Sequence, residues 1–180
     1  MRLALKRHPD SQCEAARRVE AEVVRRAGNL LLHYFVTGKM NDLLLPAATA
    51  SGRADELWRH TCFEAFVRPL PGFAYCEFNF APSTQWAAYQ FSGYRSGMRI
   101  ADEMGPPRID GRWNGACYEL QVTLTLDRLP ALPAEAAWQL ALSAVIEERS
   151  GRKSYWALAH PPGIPDFHQQ DCFALEVPPA

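Results

Sequence analysis

The sequence has little of what marks several classes of protein. No apolar run approaches the roughly 20 residues that a membrane helix needs, so we expect no membrane span. Its 19 basic and 20 acidic residues leave a net charge of −1. Such a balance creates no positive field that would attract nucleic acid or an anionic membrane. Neither class of partner is therefore predicted.

The cysteines give no indication of disulfide bonds or of a structural metal site. The five cysteines are an odd number and none are spaced as CxxC, which argues against a disulfide framework and against a structural zinc site. Residues 1–7 read MRLALKR and lack the apolar stretch of a signal peptide. We therefore expect reduced thiols and a cytoplasmic location.

Helical periodicity is also scarce, whereas alternation of apolar and polar residues is common. Alternation predicts half-buried strands, and two sets of apolar positions show it most clearly: Tyr118, Leu120, Val122, Leu124 and Leu126, then Trp138, Leu140, Leu142, Ala144 and Ile146. Residues 2–8 read as an edge strand, and residues 99–114 as a long surface loop. Residues 11–28 fit a helix with a capping box or a strand, and a hairpin with residues 30–37 favours the strand.

These patterns predict one domain over residues 1–180, with about ten strands. At 180 residues the chain can bury one sizeable core. Short strands separated by Pro and Gly turns are typical of an all-β fold, an antiparallel β-sandwich of jelly-roll or immunoglobulin-like type.

Residues 58–98 are predicted to form a three-stranded meander with turns at 69–72 and 81–84. Symmetric closure of the first turn sets Glu64 opposite Glu77. Closure of the second sets Asn79 opposite Trp86 and Tyr75 opposite Gln90. The core face then receives only apolar residues: Phe63, Ala65, Val67, Ala74, Cys76, Phe78 and Phe80.

The other face of the meander collects the unusual polar residues: His60, Glu64, Tyr75, Glu77, Asn79, Trp86 and Gln90. Carboxylates opposite each other repel unless a cation, a ligand or an arginine such as Arg68 or Arg95 lies between them. Aromatic rings edged by amides and carboxylates suit a sugar. The alternative is an ordinary polar surface on which Trp86 packs under residues 99–114.

Two motifs carry a family resemblance. Residues 58–64 read WRHTCFE and residues 75–82 read YCEFNFAP. In these motifs the chain resembles the DOMON-like family, which is related to the family-9 carbohydrate-binding modules. The similarity extends from about Val19 to the C-terminus and includes residues 155–163.

The resemblance implies a β-sandwich that binds sugars or haem rather than catalysing a reaction. It makes Trp58 a stacking platform, Glu64 a carboxylate for hydroxyl groups and Trp156 the second wall of the clamp. Between the Trp and the Glu, the carbohydrate modules typically have acidic residues, where this chain has His60 and Thr61.

Two alternatives stay open. A haem domain would use Met98 with His160 or His168 as axial ligands, although Met40 and Met104 serve equally on sequence alone. A protein–protein interaction module, including a homodimer, needs no small ligand. A glycosidase using Glu64 and Glu77 is not favoured, because carboxyl groups directly paired across strands lie too close for that chemistry.

A metal site of His160, Asp166 and His168 lacks a diagnostic spacing. We therefore expect a non-catalytic domain that binds a small molecule, a saccharide, without a metal or a cofactor. The predicted ligand-binding residues are Trp58, His60, Glu64, Tyr75, Glu77, Asn79, Trp86, Gln90, Arg95 and Trp156.

Overall fold

The computed structural model describes residues 2–180, which form twelve strands and three one-turn 3-10 helices. The strands are β1 (Leu3–Arg7), β2 (Ala16–Arg26), β3 (Asn29–Gly38), β4 (Cys62–Pro69), β5 (Tyr75–Phe80), β6 (Trp86–Phe91), β7 (Arg99–Ile100), β8 (Arg108–Trp113), β9 (Cys117–Thr125), β10 (Trp138–Glu147), β11 (Lys153–Ala157) and β12 (Leu175–Val177). The 3-10 helices are Met40–Asp42, Leu57–Arg59 and Gln170–Cys172. Within residues 2–180, none of the helices has the length and apolarity needed to span a membrane.

All pairings between these strands are antiparallel, and the order is β7-β6-β5-β4-β10-β11-β1-β2-β3-β9-β8, with β12 added to β10. Strand β1 joins the two halves of this order. Its Leu3–Leu5 part pairs with β2, and Lys6 and Arg7 pair with β11. The prediction that β1 is an edge strand was wrong, because both of its sides are paired.

The sheet curls so that its two halves face each other across one core. Leu30 and Val122 come from β3 and β9, whereas Phe63 and Leu142 come from β4 and β10, and all four are fully buried in the same cluster. The Tyr34 hydroxyl of β3 crosses this core and donates a hydrogen bond to the Glu64 backbone carbonyl at 2.7 Å. The all-β antiparallel sandwich predicted from the alternation is confirmed.

Two local predictions have different outcomes. The β2–β3 hairpin is confirmed, and its tight turn uses Gly28 at φ 70°, where a Cβ would lie 1.8 Å from Asp127 Oδ1. The expectation of a long loop over 99–114 was wrong, since β7 pairs with β6 and β8 pairs with β9. Strand β7 has two residues, and most residues of β8 are exposed. Neither strand therefore shows a clear alternation of apolar and polar residues in the sequence.

Candidate functional site

The β4–β5 hairpin closes two residues away from the predicted register. Glu64 lies opposite Asn79, and Glu77 lies opposite Phe66, so the predicted Glu64–Glu77 pairing was wrong. Side chains alternate with a period of two, and a shift of two residues therefore leaves each one on its predicted face. The predicted core residues of β4 and β5 are buried in the main core, and Ala74, in the turn, is exposed.

The β5–β6 hairpin is shifted by one residue, which reverses the faces of β6. Trp86 lies opposite Phe80 and Gln90 opposite Cys76, on the core side. The loop contains Thr84 at φ 71°, and the Ala81 backbone N–H donates to the Gln85 carbonyl at 2.9 Å. A threonine in the left-handed region is uncommon. Because the loop has no glycine at this position, the sequence does not indicate where the turn lies.

These registers place polar residues from three neighbouring strands in one row on the outer face of the sheet. Ser143 of β10 lies opposite Glu64, Glu64 lies opposite Asn79, and Asn79 lies opposite Ala87 of β6. Glu77 lies in the adjoining row, between Phe66 and Tyr89. We call Glu64, Glu77 and Asn79 the acidic floor.

Burial controls the protonation of both carboxyl groups of the acidic floor. Glu64 is 3% exposed and accepts a hydrogen bond from Ser143 Oγ at 3.0 Å. Burial, followed by repulsion from Glu77, raises the pKa of Glu64 to about 8. Burial also raises the pKa of Glu77, although the hydrogen bond from Asn79 opposes that shift. Glu64 is therefore mainly protonated at neutral pH.

Asn79 contains a buried acceptor without a hydrogen-bond partner. Its Nδ2 donates to Glu77 Oε1 at 2.7 Å, because a carboxyl oxygen that carries no proton accepts hydrogen bonds. Its Oδ1 has no hydrogen-bond partner, although the residue is only 1% exposed. A buried acceptor without a donor costs free energy, and a ligand donor would remove that cost.

Residues 55–60, the rim segment, cross one side of this face. Tyr89 donates its hydroxyl hydrogen to Asp55 Oδ1 at 2.6 Å, and His60 Nδ1 lies 2.7 Å from Glu147 Oε2 on β10. Between these contacts, the 3-10 helix Leu57–Arg59 contacts β4 and β5 and leaves Trp58 50% exposed. Glu56, just before this helix, has φ 58°. A strained residue of this kind is often found at a binding site.

Residues 164–173, the C-terminal strap, cover the other side of the face. The His168 ring lies between Phe66, Tyr75 and Phe91, with ring centroids 5.1 to 5.9 Å away. Its Nδ1 is 2.7 Å from the Tyr75 hydroxyl, and its Nε2 is 3.7 Å from Glu77 Oε2. Burial lowers the pKa of His168 to about 4, so the ring is neutral at pH 7.

The tautomer of His168 follows from its neighbours. The Tyr75 hydroxyl oxygen accepts a hydrogen bond from the Arg95 backbone N–H at 3.3 Å. The hydroxyl hydrogen is then free to be donated to His168 Nδ1, and in that tautomer the ring proton is on Nε2, facing Glu77. The strap thus brings one neutral N–H group towards the acidic floor.

Arg95 holds the strap rather than contacting the acidic floor. Its Nη2 is 2.8 Å from Asp166 Oδ1, and Tyr94 donates to Asp166 Oδ2 at 2.6 Å. Arg95 still attracts both glutamates from a distance and opposes the rise of their pKa values. Arg68 donates to Gln139 and stacks on Phe173, so neither arginine lies between the carboxylates as the sequence suggested.

Three predicted site residues point away from the acidic floor. Trp86 is buried in the main core, and Arg53 lies 4.1 Å above its ring, so it lies on the core side of the sheet and not on the outer face. Gln90 accepts a hydrogen bond from Arg99. Trp156 is buried in the main core and donates to Ser154 Oγ at 2.9 Å, so it forms no wall of an open clamp.

The residues considered for metal or haem are dispersed. His160 Nε2 is 2.8 Å from the Lys6 carbonyl, whereas His168 contacts Tyr75. Met98 is exposed, and Met40 and Met104 are in the main core. Among residues 2–180, no group of three or more His, Cys, Asp or Glu side chains is arranged to hold a metal ion.

Sequence reasoning did not assign several residues to this face that the structure brings there: Asp55, Tyr89, Ser143, and also Asp166 and His168, which it considered only for a metal or haem. Ser143 carries the clearest signal, because it is a hydroxyl residue on the outer side of the alternating strand β10. Tyr89 was lost through the one-residue error in register. Nothing in the local pattern of residues 164–173 indicates which face the strap covers.

No protein-family model matches the chain, and no curated protein matches it in sequence. Solved structures, however, share its fold. A protein from Bacteroides uniformis, described as a candidate carbohydrate-binding protein, aligns with a TM-score of 0.68 and 15% identity over 96% of this chain and 83% of its own. A family-9 carbohydrate-binding module from Caldicellulosiruptor kristjanssonii in complex with glucose aligns with a TM-score of 0.53 and 10% identity over 93% of this chain and 78% of its own. Such a module from the same organism in complex with cellotriose aligns with a TM-score of 0.51 and 10% identity over 89% of this chain and 75% of its own. The chain thus has the fold of these proteins.

Proposed function

We propose that this chain binds a small saccharide at the acidic floor, between the rim segment and the C-terminal strap, without catalysing a reaction. The observation that carries the proposal is the buried row of Ser143, Glu64 and Asn79, with an unpartnered Asn79 Oδ1. Fixed polar groups of this kind orient sugar hydroxyls. The fold shared with a glucose-bound and cellotriose-bound module supports the choice of ligand class.

In this proposal, Trp58 supplies the apolar contact. Its exposed indole stands on the rim segment and is available to stack on the C–H face of a sugar ring. A sugar hydroxyl donates to Asn79 Oδ1, and protonated Glu64 donates to another. We also propose that the chain is DOMON-like, as residues 58–64 and 75–82 suggest, and that it is cytoplasmic. A homodimer stays an open alternative.

Isothermal titration calorimetry with glucose, cellobiose and cellotriose tests the proposal. We expect Trp58→Ala to weaken binding about fivefold, because stacking on an aromatic ring contributes on the order of 1 kcal/mol. Trp113→Ala is the matched control, since Trp113 on β8 is similarly exposed at 54%. Cellotriose incubated with the protein is expected to stay intact.

Two results would contradict the proposal. One is the absence of binding heat with every sugar. The other is equal weakening by Trp58→Ala and Trp113→Ala, which would indicate a nonspecific effect of losing an exposed indole.

A further inference from the structure

We infer that the saccharide taken by this site carries a free amine, and that its ammonium group binds at Glu64, Glu77 and Asn79. The inference rests on the proposed function and narrows it to one class of sugar. It follows from the donors and acceptors of the acidic floor, which are strongly unbalanced.

Acceptors are in excess at the acidic floor. Among residues 2–180, Asn79 Oδ1 has no partner, and Glu64 receives its one side-chain hydrogen bond from Ser143, at Oε2. Glu77 Oε2 has only the distant His168 Nε2, at 3.7 Å. Asn79 Oδ1 and Glu77 Oε2 therefore lack a protein donor at normal distance, and Glu64 Oε1 joins them once Glu64 is ionised.

Cations that would balance these oxygens are otherwise engaged. Arg95 makes its ion pair with Asp166, at 2.8 Å, and His168 is neutral at pH 7 because burial lowers its pKa to about 4. A neutral sugar hydroxyl brings one donor and also further acceptor lone pairs. An ammonium group brings three donors and no acceptor, so it fits this set of atoms better.

Charge points the same way. Two neighbouring carboxyl groups in a buried site can ionise together only if a positive charge joins them. Without one, Glu64 retains its proton at neutral pH. An ammonium group would favour ionised Glu64, and the proton of Glu64 would pass to the buffer as the ligand binds.

Calorimetry with glucosamine, N-acetylglucosamine and glucose at pH 7 tests the inference. Acetylation removes the charge and keeps the ring, so it is a matched ligand control. We expect glucosamine to bind at least tenfold more tightly than the other two sugars. We also expect proton release of up to one per site, measured from the difference in heat between phosphate and HEPES buffers.

Variants locate the effect. Glu77→Gln is expected to reduce the ratio of glucosamine affinity to glucose affinity at least fivefold. Glu135→Gln, which neutralises an exposed glutamate outside the site, should leave that ratio unchanged. The proton release of the unmodified protein tests the inference even if Glu77→Gln does not fold.

The outcomes separate the two proposals. Equal affinity for glucose and glucosamine overturns the inference and leaves saccharide binding intact, whereas no binding of any sugar overturns both. Binding heat with calcium chloride alone that is lost in Glu64→Gln would assign the acidic floor to a metal ion and also overturn the inference.

Discussion

The carboxyl group of Glu64 links the stability of the fold to pH. The unfolded chain loses this proton near pH 4.5, whereas the folded protein keeps it up to about pH 8. Folding therefore binds a proton between these values, and the free energy of unfolding falls as pH rises through this window and levels off above it.

Glu64→Gln should remove this contribution. The amide resembles the protonated acid in size and can still accept from Ser143. One pKa unit corresponds to about 1.4 kcal/mol. Between pH 4.5 and 8, we therefore expect the free energy of unfolding to fall on the order of 4 kcal/mol less in the variant than in the unmodified protein. Urea unfolding at several pH values measures this, with Glu135→Gln as the control. An unchanged slope in Glu64→Gln would contradict the assignment of this pH dependence to Glu64.

Among the elements, the C-terminal strap is anchored at Asp166 as well as at His168. Asp166 accepts hydrogen bonds from Arg95, Tyr94 and the His168 backbone N–H. Burial alone would raise the pKa of Asp166, but these hydrogen bonds outweigh it and hold the pKa below its usual value. The strap is thus held by an ionised group at neutral pH, and this contact weakens as pH falls through the acidic range.

Asp166→Asn should loosen the strap without unfolding the sheet. Loss of the charge weakens the hydrogen bonds with Arg95 and Tyr94, at a cost of about 1 to 2 kcal/mol. We expect amides of residues 164–173 to exchange about tenfold faster in hydrogen-exchange mass spectrometry. Asp171→Asn, at an exposed position of the same strap, should not change the exchange. Equal acceleration in both variants would exclude Asp166 as the anchor.

Individual strands were easier to predict than their pairing. Strands β9 and β10 are visible in the sequence because apolar and polar residues alternate along half-buried strands. The residues of the acidic floor lie on their predicted face because the error in the β4–β5 register was two residues, an even number. The β5–β6 loop reaches its turn with Thr84 in the left-handed region. That conformation depends on tertiary contacts, and the resulting one-residue shift moved Trp86 and Gln90 away from the site.

For the whole molecule, the two halves of the sheet are held together by aromatic contacts. Phe63 of β4 lies 5.1 Å from the Tyr34 ring and 6.1 Å from the Tyr118 ring, which belong to β3 and β9. Phe63→Ala is expected to cost about 3 to 5 kcal/mol of unfolding free energy, because a cavity forms between the halves. Chemical denaturation followed by circular dichroism measures this cost.

Phe73→Ala provides the comparison for a ring outside the core. Phe73 is 73% exposed in the turn between β4 and β5, and its removal should change stability by about 0.5 kcal/mol or less. Similar losses in the two variants would argue against Phe63 as a principal contact between the halves.

The row that joins Ser143 to Glu64 and Asn79 unites distant parts of the chain. Residues 114–116, between β8 and β9, are exposed, and Gly115 has open space around it. A protein divided at this turn would carry Glu64, Glu77 and Asn79 on one fragment and Ser143 with the strap on the other. Neither fragment alone holds the whole row, so ligand affinity would report complementation between the two pieces.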